Sequence, residues 1–118
     1  MTAIHCYYQN QDAQEISLLS EVYHTNHFWS RLKGLLGRKQ IGLQEGLLIE
    51  PCNSVHTLGM AFPIGVIFIA KDHSILQIIP CMPPQRLSPI IRGAKKVLEM
   101  HPERIPAELS PGMKLVFK

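Results

Sequence analysis

The stretch Met60-Ala61-Phe62-Pro63-Ile64-Gly65-Val66-Ile67-Phe68-Ile69-Ala70 decides how this chain is read. Its β-branched and aromatic side chains follow one another without a polar residue, the pattern of a core strand buried on both faces. Pro63 has no N–H to give to a ladder, so full pairing is expected to begin after it. Val66 to Ala70, the longest apolar run free of glycine, is far too short to cross a bilayer.

Reading outward from this strand, Lys71-Asp72-His73-Ser74 is a hairpin connection and Ile75 to Ile79 the returning strand. Pro80, Pro83, Pro84 and Pro89 then mark a long, stiff excursion that carries Cys81, Met82, Arg86 and Arg92. Ala94 to Met100 resumes as a strand. Glu103 to Leu109 reads as a short helical or irregular link, and Ser110-Pro111-Gly112 as a turn before a last strand from Met113 to Phe117. In the other direction, residues 3–8 and 16–23 are expected as strands joined by a polar turn from Gln9 to Gln14. Gly42 to Gly46 is expected as a turn before the short buried strand Leu47-Leu48-Ile49. Between them lies the clearest helical pattern. Thr25 or Asn26 can cap it, Phe28, Leu32, Leu35 and Leu36 share one face, and Gly37 offers a C-terminal stop. Trp29 would anchor that helix on the sheet.

The expected fold is therefore α+β and mainly β: a sandwich or partly closed barrel with one substantial helix over an open end. The length of 118 residues is that of one compact domain spanning 1–118. A hydrophobic fraction of 46% with 18% charged residues excludes a disordered tail and a membrane span. A net charge of +3 falls short of a dedicated nucleic-acid binder. The first ten residues show no basic region followed by an apolar stretch, and the cysteine count is odd, so reduced thiols and a cytoplasmic location are expected. A bridge between Cys52 and Cys81 is the alternative.

From Phe28 onward the chain resembles the domain of unknown function 192 family. The resemblance rests on Arg31-Leu32-Lys33-Gly34-Leu35-Leu36-Gly37-Arg38, Glu45-Gly46-Leu47-Leu48, Pro51-Cys52 and Val55-His56-Thr57 with Met60. It continues through Phe62-Pro63-Ile64, Val66-Ile67-Phe68, Val97-Leu98-Glu99 and Pro111-Gly112. It implies a mainly β fold of jelly-roll-like character and no assigned function. Two departures stand out. Gly65 occupies the place of an aspartate typical of the family, and His101-Pro102-Glu103-Arg104 replaces a small-residue turn.

The reactive atoms gather in Pro51-Cys52-Asn53-Ser54-Val55-His56-Thr57-Leu58-Gly59-Met60. Cys52 and His56 have the spacing C-x3-H, and thiolate and imidazole are usual zinc ligands. Four ligands are wanted, and Cys81, His73 or His101 would have to complete the set, so no metal and no cofactor is expected. An enzyme would need Cys52 activated by His56 and oriented by a carboxylate such as Glu99. A buried thiol beside a histidine bonded to backbone is the competing account. Glu99, if buried, should pair with Arg38, Arg92 or His56. A nucleic-acid surface would need Arg31, Lys33, Arg38, Lys39, Lys95 and Lys96 together, without the usual aromatic stacking residues.

The favoured reading is a noncatalytic binding or accessory domain. A groove at the Cys52–Met60 loop, bounded by the proline-rich excursion and Glu99, would recognise a small molecule or a peptide. His56, Thr57, Met60, Glu99 and Arg38 are its candidate binding residues. A Cys/His enzyme and a weak nucleic-acid binder are the alternatives, and no membrane partner is expected.

Overall fold

Continuous apolar runs and short alternating segments become seven strands: β1 (Ile4–Gln9), β2 (Glu15–Thr25), β3 (Glu45–Ile49), β4 (Ile64–Ala70), β5 (Ile75–Met82), β6 (Ala94–Met100) and β7 (Leu115–Phe117). The structure is a computed structural model that describes residues 3–25 and 39–118. The strands form one sheet in the order β5-β4-β6-β3-β2-β1-β7. Neighbours are antiparallel except β2 and β3, which run parallel and so cannot be joined by a tight turn. In β4 every residue from Ile64 to Ile69 is buried, as a strand covered on both faces requires.

The two faces of β4 define two cores. Ile67 and Ile69 point into a cluster to which all seven strands contribute, among them Cys6, Leu18, Leu48, Ile75, Leu98 and Leu115. A flat sheet cannot bring its first and last strands to one cluster, so the sheet must curl around it. The edges meet at one end, where the Ile75 N–H donates to the Met113 carbonyl at 2.8 Å and the Gly112 N–H donates to the Ile75 carbonyl at 2.8 Å. No ladder joins β5 to β7 among the described residues, so the sheet is curled but not closed. Ile64, Val66 and Phe68 face the other way, into a second cluster with Ile41, Val55, Met60, Phe62, Met82 and Val97. Loops cover that outer face.

Three expectations are corrected. The jelly-roll-like, two-sheet sandwich is replaced by a single mixed sheet, because the strands share one curled interior instead of packing two faces together. Strand β5 does not stop before Pro80 but continues to Met82. It is an edge strand, and a register shift between the pairs Ile64–Met82 and Val66–Ile79 leaves Pro80 outside the regular ladder, so the missing N–H breaks nothing. Gly46 is a strand residue rather than a turn residue. A Cβ there would lie 2.6 Å from Leu19 Cδ1, so any larger residue would require the Leu19 side chain to shift. The substantial helix expected from Thr25 or Asn26 to Gly37 lies outside the described residues. Among the described residues the helical element is a 3-10 turn, Pro102–Arg104.

That turn sets what lies over Gly65. His101 caps it, its Nδ1 accepting from the Glu103 N–H at 3.1 Å, and Arg104 Nη2 donates to the Leu18 carbonyl at 2.8 Å. The chain is thereby led over β4. A Cβ on Gly65 would stand 2.4 Å from Ile105 Cδ1. Ile105, which follows the turn, fills the space that a side chain at position 65 would need.

Candidate functional site

The loop after β3 and the excursion after β5 are bonded to each other along their length. The Cys52 N–H donates to the Lys95 carbonyl at 3.1 Å, the Ile91 N–H to Asn53 at 2.9 Å, and the Ser88 N–H to Val55 at 2.9 Å. His56 and Leu87 form an antiparallel bridge, and the Thr57 N–H donates to Arg86 at 2.9 Å. The two segments therefore run antiparallel from Cys52 to Thr57 as one hydrogen-bonded track. Unpaired peptide groups inside the fold would be costly, and this pairing satisfies them where prolines forbid a regular strand.

Thr57 holds the far end of the track. It is fully buried, its Oγ1 donates to the Pro83 carbonyl at 2.7 Å and accepts from the Arg86 N–H at 3.0 Å. Its own carbonyl accepts from the Met60 and Gln85 amides at 3.1 and 3.0 Å. Gln85 sits at φ +63°, a left-handed conformation unusual for a residue with a side chain. Its amide group brackets the turn, Oε1 accepting from the Gly59 N–H at 3.1 Å and Nε2 donating to the Met60 carbonyl at 3.3 Å. Such backbone strain costs about 1–3 kcal/mol and persists where the surroundings over-determine it.

Between the two segments lies a groove of about 440 Å³, lined among the described residues by Pro51 to His56 with Leu87 and Ser88. Cys52 Sγ donates to the Ser54 carbonyl at 3.1 Å. His56 Nδ1 accepts from the Leu58 N–H at 3.3 Å, so the neutral ring carries its proton on Nε2. Cys52 and His56 both line this groove. Thr57 builds the groove from behind. Met60 lies in the second core cluster at 2% exposure. Glu99 is wholly buried on β6, opposite Leu47 and Val66, and on the same side of the strand as Val97 it faces that same cluster. Neither is among the described residues that line the groove. Arg38, and with it the proposed Glu99–Arg38 pair, lies outside the described residues.

The other possible zinc ligands are dispersed. Cys81 and His101 line a separate cleft of about 400 Å³ with Ile41, Phe62 and Pro63. His73 is in the β4–β5 hairpin, its ring edge-on to Phe117 with centroids 5.6 Å apart. Among the described residues no three His, Cys, Asp or Glu side chains converge as a metal site would need. No disulfide joins the cysteines, and Cys81 is exposed. Burial pushes the Cys6 thiol up to about 12, which makes it packing rather than chemistry.

The most informative side chains on these loops were not singled out by sequence reasoning. Leu58, Leu87 and Ile90 are 46%, 72% and 74% exposed, and only Leu43 joins them as a large exposed apolar side chain among the described residues. The legible signal was compositional: Arg86-Leu87-Ser88-Pro89-Ile90-Ile91-Arg92 has aliphatic residues between cations and no acid.

A curled, mainly β sheet with a loop-covered outer face defines the class of protein. The sequence profile of the domain of unknown function 192, described as "Uncharacterized ACR", matches residues 9–117, and the chain belongs to that family. The fold is similar to that of a proposed transcription regulator from Sinorhizobium meliloti 1021, with 20% identity, a TM-score of 0.77, and coverage of 98% of this chain and 94% of that one. It is also similar to a protein of unknown function from Novosphingobium aromaticivorans, at 20% identity and a TM-score of 0.72, covering 95% of this chain and 83% of that one. At that identity the likeness carries the fold alone. No curated protein matches the chain. Among the described residues no helix is long and apolar enough to cross a membrane.

Proposed function

We propose that the chain is a noncatalytic binding domain whose ligand seats in the groove between the Cys52–Met60 loop and the excursion after β5. One observation carries this reading. Three of the four large exposed apolar side chains among the described residues, Leu58, Leu87 and Ile90, stand on the two segments that form that groove. Leaving aliphatic surface in water is unfavourable, and such clusters beside a concavity mark surfaces that are covered in use. The enzyme alternative needs a carboxylate beside Cys52 and His56. Glu99 is buried and is not among the described residues that line the groove.

Heteronuclear NMR with a library of small aromatic and aliphatic fragments tests the proposal. Shifts confined to Asn53–Leu58 and Gln85–Ile90 are expected, and Leu87→Ser should abolish them. Shifts that gather instead around Ile41, Cys81 and His101 would move the site to the other cleft and end this reading.

A further inference from the structure

We infer that the occupant of this groove is an acidic, aliphatic-anchored peptide segment of another protein, an inference that rests on the binding-groove reading above. From Pro51 to Leu98 the sequence contains a single acid, Asp72, which lies in the β4–β5 hairpin, bonded to Ser74 and paired with Lys114 at 3.9 Å. The same span places Arg86, Arg92 and Lys95 along the excursion, all exposed. Each belongs to the hydrogen-bonded track or adjoins it: Arg86 opposite Thr57, Arg92 beside the Ile91–Asn53 bond, Lys95 opposite Cys52. A register shift in the β4–β6 ladder leaves Lys95 without a partner in β4, so it is a bulge residue turned toward the loop side.

These cations lack internal carboxylates. Glu50, the acid at the near end of the track, is held by His24 at 3.0 Å and by Lys96 at 3.7 Å. Among the described residues no ion pair engages Arg86, Arg92 or Lys95. Arg86 Nη1 donates to the Pro84 and Gln85 carbonyls at 3.5 and 3.3 Å, and exposed Arg92 and Lys95 follow exposed Leu87 and Ile90 in the same stretch of chain; the complement of such a stretch is a segment that alternates carboxylates with aliphatic side chains.

A groove of about 440 Å³ lies in the size range of ligand sites and would admit aliphatic side chains, and the paired segments that run beside it from Cys52 to Thr57 suit an extended ligand of several residues. A nucleic acid would call for exposed aromatic stacking surfaces, and among the described residues the large exposed apolar side chains are all aliphatic.

Panning a random heptapeptide display library against the full chain provides the test. Enrichment of sequences that combine Asp or Glu with Leu, Ile or Val is expected. A synthetic peptide from the enriched pool should weaken about tenfold or more against the double variant Arg86→Glu and Arg92→Glu, and should lose affinity as salt rises. Both positions are exposed, and the variant's circular dichroism and melting should match the parent. Enrichment of basic or uncharged apolar peptides would overturn the acidic class and leave the groove reading standing. Failure to enrich any peptide while fragments still shift the groove residues would overturn the peptide class alone. Failure of both would remove the groove reading as well. Preferential binding to phosphatidylglycerol vesicles or to single-stranded RNA would overturn the inference in favour of that anionic surface.

Discussion

The inner and outer faces of the sheet are built by different physics. Inside the curl, all seven strands deliver alternate side chains to one cluster, which among the described residues is made of Cys6, Tyr8 and aliphatic groups at 7% exposure or less. Backbone groups there are satisfied by the ladders themselves. Outside, the same strands meet loops, and the second cluster sits beside two buried polar residues, Thr57 and Glu99. The loops over it need a left-handed Gln85, a bulge at Lys95 and hydrogen bonds assembled one at a time. The inner face determines that the chain folds, and the outer face determines what it can touch. Residues that serve folding are therefore expected to separate cleanly from residues that serve recognition.

The largest expected effect tests that separation directly. Leu98→Ala should lower unfolding free energy by about 2–5 kcal/mol, because it empties part of an enclosed cluster, whereas Leu87→Ala should change it by no more than about 0.5 kcal/mol. Urea denaturation of both variants reads the difference. A comparable loss at Leu87 would mean that the exposed aliphatics are part of the core after all.

An intermediate effect is expected where the two faces join. Thr57→Val keeps the shape but deprives the Pro83 carbonyl and the Arg86 N–H of their partner, at a cost of about 1–3 kcal/mol. Hydrogen exchange should quicken at Met60, Gln85 and Arg86 while amides in β4 and β6 stay protected. Uniform acceleration across the sheet would show that the loops and the curl are one cooperative unit.

The smallest effect concerns the β4–β5 hairpin. Burial first, and then the charge of Lys96, hold the His73 imidazole below its ordinary value of 6.5. The unfolded chain therefore takes up a proton near pH 6.5 that the folded chain still resists. Stability from this group is complete above that pH and is lost as pH falls through the window below it. His73→Asn, which tolerates the same positive φ of 73°, should flatten the part of the melting-temperature profile below pH 6.5 relative to the parent. An unchanged profile would assign the acid sensitivity to other histidines.

Much of the fold was legible because apolar runs and turn residues act locally. Ile64 to Ala70, Ala94 to Met100 and the turn after Gln9 stand where their composition places them, and the cations beside Leu87 and Ile90 can be read from the letters alone. The candidate site was legible only as a loop rich in reactive side chains: Cys52 and His56 line the groove, whereas Met60 and Glu99 are not among its described lining residues. Pairing between distant segments was not legible. Nothing near Gly65 announces that Ile105 fills its Cβ space, and nothing in Pro80 announces an edge strand that can absorb it. The sequence by itself determined which residues had to leave water and where the chain had to turn, since those follow from side-chain chemistry and local dihedrals. The tertiary structure alone decided that β2 pairs parallel with β3, that the sheet curls around one cluster, that Glu99 faces the outer core, and that Leu58, Leu87 and Ile90 stay in solvent. Those outcomes depend on contacts between residues far apart in the chain, which no local pattern encodes.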